Sequence, residues 1–227
     1  MDVIDIPGFG DPFSSISHLL AALLALILGI GLIRQALGQP VRVVTVCIYV
    51  FTVVFLLSMS GVFHLLDPGT TGRAVLKRLD HAGIFLLIAG TFTPIHAIIF
   101  RGFWRWGFLT LIWGLAITGL TLKTIYFSDF AEWLGLLFYI GLGWMGIASA
   151  YLTHQMHGFG IIRPLFFGAL AYTLGATLDF LRVPVLIPGV LGPHELFHIA
   201  VLAGIAWHWK FVKTLLTSPD NKGPVQR

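Results

Sequence analysis

The chain has 227 residues, of which 57% are hydrophobic and only 11% charged, a balance that excludes a soluble domain of this size and points to a polytopic membrane protein. Its net charge of +4 comes from basic residues scattered singly between apolar runs, which read as anchors at the membrane interface and not as a patch for nucleic acid. The single cysteine, Cys47, excludes a disulfide within the chain and a cysteine metal cluster.

The acidic start, Met1 to Asp11, lacks the basic segment and small-residue cleavage site of a secretory signal, so it is expected to stay in the mature chain. About twenty apolar residues cross a bilayer as a helix, and seven such stretches follow. The first covers residues 14–33 and closes at Arg34 and the Gly38-Gln39-Pro40 break; the second covers 43–66 and ends at the Asp67-Pro68-Gly69 turn signal. A basic loop with Arg73, Lys77 and Arg78 leads to the third, 79–100, with Pro94 placed to kink its far end. The fourth covers 106–122, and the fifth covers 132–153 and is closed by His154 to Gly160. Arg163-Pro164 opens the sixth, 165–180, and a Pro- and Gly-rich connector from Arg182 to Pro193 leads to the seventh, 194–216. The expectation is an all-α fold, a seven-transmembrane-helix bundle in which residues 1–227 form one integral membrane domain.

Two histidines, His194 and His198, stand four residues apart where the seventh helix begins. At about 100° per residue the two imidazoles project about 40° apart on one face, so both can reach one ligand. That is half of a metal site, since a catalytic-type Zn²⁺ usually takes three protein ligands and leaves its fourth position to water. Seven spans alternate sides of the membrane, and this parity indicates the third ligand. If side A is the side of the N-terminus, then Ser17-His18, His64, Asp80 and His194/His198 all fall at one depth on side A. His64 is the expected third ligand, against the alternative of an interfacial or carbonyl-bonded core histidine. Asp80, read as lying about one residue inside the third helix, is the expected general base, taking a proton from zinc-activated water. Its alternative is a helix-start carboxylate favoured by the macrodipole. Ser60 shares a face with His64 and is either a donor supporting the site or a helix serine bonded to its own carbonyl.

Several groups are placed outside the ligand set. His18, with Ser14 and Ser17, is expected to line the cavity mouth, and His81 and Glu195 to point away from the site. Asp179 is a possible outer partner. His96, His154, His157 and His208 are expected to lie out of reach.

These residues carry a family likeness. The chain resembles the hemolysin III family within the progestin and adiponectin receptor superfamily, and more distantly the alkaline ceramidases. The resemblance runs from Ser14-Ser15-Ile16-Ser17-His18 through Ser60-Gly61-Val62-Phe63-His64 and Leu79-Asp80-His81-Ala82-Gly83 to His194-Glu195-Leu196-Phe197-His198. It implies a seven-helix bundle with zinc on His64, His194 and His198, and with Asp80 and Ser60 supporting the site. Where such proteins often carry Asn or an acidic residue in the first motif, this chain has Ser14 and Ser15.

The expected activity is zinc-dependent hydrolysis of a membrane lipid, amide- or ester-linked, in a pocket entered from the bilayer. The alternative is a non-enzymatic sensor of membrane stress or composition with structural zinc, and lysis has little support in the sequence. The expected location is the inner (plasma) membrane. Side A carries five Lys and Arg and side B nine, which favours side B as cytoplasmic. The resemblance instead implies a cytoplasmic N-terminus and zinc site. Oligomeric state is left open.

Overall fold

The computed structural model describes residues 10–217, and among them every regular element is helical. In chain order these are α1 (Pro12–Ala36), α2 (Pro40–Leu65), α3 (Thr71–Ile99), a 3₁₀ turn (Gly102–Trp104), α4 (Trp106–Ile125), α5 (Glu132–Trp144), α6 (Gly146–His157), α7 (Phe159–Leu181) and α8 (Pro193–Thr217). Seven spans are long and apolar enough to cross a membrane, with α5 and α6 together making the fifth.

The helix boundaries follow from local chemistry. Pro12 and Pro40 occupy first-turn positions, where a missing N–H costs nothing. The break between α5 and α6 falls at Met145, among Gly141, Gly143 and Gly146, residues that lower helix stability by about 1 kcal/mol each relative to Ala. Gly158, at φ +78°, is the single residue separating α6 from α7, and its left-handed conformation is one that L side chains rarely adopt. The sixth span therefore starts at Phe159, ahead of Pro164, and not at the expected Leu165.

The largest boundary difference concerns α3. It begins at Thr71, capped by the Thr70 hydroxyl accepting from the Arg73 N–H at 3.3 Å, and not at Leu79. Arg73, Lys77 and Arg78 are therefore helical, and Asp80 lies about two and a half turns inside α3 and not at its first residue.

Helix α3 is the most enclosed of the spans and packs against α2, α4, α5, α6 and α8. Small residues make this possible. A side chain at Gly90 would run into Thr52 of α2, and one at Gly83, two turns earlier in α3, would press on Leu56. The ring of helices closes where α1 meets α8. A core of Val46, Tyr49, Val53, Leu57, Val201 and Val212 fills the space between α2 and α8.

Candidate metal centre

His64 closes α2, and His194 and His198 open α8, so the side-A ends of two sequence-distant helices bring three imidazoles together. Their ligand nitrogens all lie within 4.8 Å of one another, and the three could hold a metal ion. His194 Nε2 is 3.3 Å from His64 Nε2 and 3.1 Å from His198 Nε2. A tetrahedral ion with metal–nitrogen bonds of about 2.0–2.1 Å, as in zinc sites, spaces its ligands by about 3.3 Å.

The partners of the other ring nitrogens of His64 and His194 explain why their Nε2 atoms face each other. His64 Nδ1 donates to Asp11 Oδ2 at 2.8 Å, and His194 Nδ1 to Asp179 Oδ1 at 3.2 Å. With the proton on Nδ1, each Nε2 carries a bare lone pair. Two lone pairs facing each other at 3.3 Å form no hydrogen bond, whereas a cation between them accepts both. Carboxylate-held imidazoles of this kind are the usual support of metal sites.

Asp11 is the residue bonded to the cluster that sequence reasoning missed. Its backbone N–H bonds the His64 carbonyl at 2.8 Å, and Gly10 N–H bonds the Leu65 carbonyl at 3.1 Å, so the segment ahead of α1 is tied to the end of α2. Arg73 Nη2 donates to the same Asp11 Oδ2 at 2.6 Å, Arg73 Nη1 donates to the Leu66 carbonyl, and the guanidinium covers the Phe63 ring at 4.9 Å. Burial would raise the Asp11 carboxyl, but the hydrogen bonds and charges of His64 and Arg73 outweigh it and hold the group below the usual carboxylate range. The side-A parity rule covers Asp11, which stands directly before Pro12. In the sequence it stands only as the last residue of an acidic start.

His18 does not line a mouth. It is buried, its ring stacks on His198 with centroids 4.0 Å apart, and neither of its nitrogens has a hydrogen-bond partner. Ser15, in the same motif, donates to the Gly61 carbonyl at 2.9 Å and fixes α1 on α2 beside the site. Ser14 is buried too, while Ser17 donates to the Ser14 carbonyl.

Ser60 and Asp80 face each other across α2 and α3, and Asp80 lies in electrostatic range of His194. The His81 ring sits beside Asp80 but bonds the Lys77 carbonyl through Nδ1 at 2.8 Å. Glu195 has a structural task, since its Oε2 accepts from Gly192 N–H at 2.8 Å and caps α8, which fixes the start of the helix that bears both histidines. Asp179 takes the partner role raised for it. At the opposite end, buried His96 stacks on Phe108 and contacts Ser149 Oγ at 2.7 Å. His208 packs against Tyr172, far along α8 from the cluster. The cluster is open on the His194 and Asp179 flank, where those side chains are 44% and 38% exposed. A separate crevice of about 720 Å³ between α2 and α4, lined by Pro40, Ile48, Trp106 and Trp113 among others, lies on side B and holds no titratable side chain.

The chain is similar to known proteins over most of its length. Residues 10–209 match the family described as Haemolysin-III related. The chain is 32% identical over 200 residues to Hemolysin-3 of Bacillus cereus, covering 85% of each chain. It is 27% identical over 174 residues to a Hemolysin-3 homolog of Bacillus subtilis, covering 74% of this chain and 76% of the relative. It is also 30% identical over 181 residues to heptahelical transmembrane protein 5 of Arabidopsis thaliana, covering 69% of this chain and 46% of that longer one. With seven spans, a histidine triad on α2 and α8 and this likeness over most of its length, the chain belongs to the Haemolysin-III related family of the progestin and adiponectin receptor superfamily.

Proposed function

We propose that the protein is a zinc-dependent hydrolase of a membrane lipid, cleaving an amide or ester bond. The observation that carries this reading is the convergence of three Nε2 atoms, two of them fixed by carboxylates, beside a facing Ser60–Asp80 pair. Zinc bound there would supply a Lewis acid and acidify water towards neutral pH. The nitrogen donor set suits zinc. Asp80, side chain 16% exposed within α3, takes the proton of the attacking water, and Ser60 orients the Asp80 carboxylate. Asp11 and Asp179 hold the His64 and His194 rings in the tautomer that leaves Nε2 free. The acyl chain enters laterally from the bilayer, and the reaction takes place at the membrane face of side A.

One observation favours a second reading, a sensor with structural zinc. The cluster joins the end of α2 to the start of α8, so the ion is also a clamp between helices that are distant in sequence.

Asp80→Asn separates the two, because it keeps the shape and removes the proton acceptor. Under the hydrolase reading, zinc content stays near wild type while fatty-acid release from a lipid extract, read by mass spectrometry, falls by about 10²- to 10⁴-fold. Undiminished release from the variant removes Asp80 as the base, and no release by wild type from a broad lipid panel leaves the sensor. We further assign the protein to the plasma membrane with side A cytoplasmic.

A further inference from the structure

We propose that Lys77, Arg78 and Lys123 form a binding site for a phosphate-type anion, the headgroup of an anionic phospholipid, on the side-A surface next to the metal centre. The three cations come from two helices, Lys77 and Arg78 from the early turns of α3 and Lys123 from the last turn of α4. They gather round one ring in the loop that follows α4. Lys77 Nζ, Arg78 Cζ and Lys123 Nζ lie 5.6, 5.8 and 5.1 Å from the centroid of Phe127, and Lys123 Nζ is also 4.9 Å from that of Phe130. His81 places its ring edge-on to Phe127 at 5.1 Å.

No carboxylate is bonded directly to these charges, although Asp80 lies in electrostatic range of Lys77 and Glu132 of Lys123. Among the described residues the acidic partners of ion pairs are Asp11, Asp80, Glu132 and Asp179, and none of the three cations takes part. The other side-A cations are paired, Arg73 with Asp11 and Arg182 with Glu132. Lys123 is only 7% exposed, so its stem is packed and its charge cannot simply move into water. Contact with an aromatic face attracts a cation but does not neutralise it. Three positive charges held round one ring, with no carboxylate bonded to them, suit a diffusible anion, and a phosphate offers acceptor oxygens to two ammonium groups and a guanidinium together.

The position favours a lipid as the source. The cluster lies where α3 and α4 reach the membrane face, the depth of phospholipid headgroups, where a basic residue contributes about fivefold in affinity for an anionic surface. Phe127 and Phe130 supply an apolar wall beside the charges. Lys77 is one turn from Asp80, so a headgroup held here sits at the edge of the metal centre. Binding at this site is independent of turnover, so its test stands whether or not the protein is a hydrolase.

The test uses the full-length protein, stripped of lipid in mild detergent and titrated in a native mass spectrometer with dioleoylphosphatidylglycerol, dioleoylphosphatidylcholine or inorganic phosphate. The expected result is a preference for phosphatidylglycerol over phosphatidylcholine that falls about fivefold for each of Lys77→Gln and Arg78→Gln. Both side chains are exposed, so these variants keep the fold, and metal content checks this. Arg182→Gln, whose charge is already paired, should retain the preference. Competition by inorganic phosphate without any preference between the lipids supports the anion site and assigns it to soluble phosphate. Equal phosphatidylglycerol binding by wild type and the Lys77→Gln/Arg78→Gln double variant overturns the proposal.

Discussion

At the histidine cluster, the carboxylates bonded to Nδ1 of His64 and His194 decide which nitrogen is free to hold an ion, while His198 Nδ1 has no hydrogen-bond partner. Asp11 does this for His64 and is itself positioned by Arg73, which donates to the same carboxylate oxygen. Asp11→Asn should therefore lower zinc affinity by about 10- to 100-fold while leaving the three ligands in place. Arg73→Gln should do so less, and the double variant should lose less than the product of the two, because both act through one oxygen. Competition with a fluorescent zinc chelator measures this, and independent, multiplicative losses would show that Arg73 acts elsewhere. His194→Ala should abolish stoichiometric zinc, since two remaining imidazoles do not make a catalytic-type site. Elemental analysis that finds one zinc per chain in that variant would remove His194 from the ligand set.

At the scale of the helix, the site depends on how closely α2 and α3 approach, because that contact sets Ser60 of one against Asp80 of the other. Gly83 and Gly90 allow it, and Gly90 meets the Thr52 side chain directly. Gly90→Leu should force the helices apart at a cost of about 1–3 kcal/mol, read as a lower thermal midpoint. Gly31→Leu on α1, where an added Cβ meets nothing within 4 Å, serves as the control and should leave the midpoint near wild type. A Gly90→Leu midpoint equal to that of the control would mean that α2 and α3 adjust freely and that close packing is not what seats Asp80.

Over the whole molecule, an ion held by the three histidines would connect the first helices of the chain to the last. Helix α8 packs against α7, α1 and α3, and the histidine cluster adds its link to the end of α2. Anything that binds only the folded state stabilises it, by about 4 kcal/mol at a thousand times the dissociation constant, so chelation should lower the thermal midpoint and zinc should restore it. An unchanged midpoint in a chelator that strips the metal would argue against the clamp. Orientation is a property of the same scale. On a Cys47→Ala background, cysteines at Thr70 and Leu186 should be labelled from one face and a cysteine at Gly102 from the other. If side A is cytoplasmic, Thr70 and Leu186 react only after the membrane is made permeable. Reaction of both in intact cells would reverse that assignment. The charge count that opposes it draws on Lys222 and Arg227, which lie outside the described residues.

Hydrophobic runs of membrane length, separated by turn signals, were enough by themselves to determine seven helical spans, because a continuous run of about twenty apolar residues satisfies its own backbone in hydrocarbon as a helix. Their parity then put His64, His194, His198 and Asp80 on one side, which is a matter of counting and needs no coordinates. The start of α3 was not legible, because Arg73, Lys77 and Arg78 lower the hydropathy of its first turns although they are good helix formers and Thr70 caps them. Asp11 precedes every span, and only the hydrogen bonds that tie it to the end of α2 reveal its part in the site. His18 lies within the first two turns of α1, yet its stacking on His198 depends on the closure of α1 against α8. Sequence periodicity specifies which residues share a helix face and at what depth. Which faces meet, and which nitrogen of an imidazole points at its neighbours, depends on contacts between residues more than a hundred positions apart, such as His64 and His194.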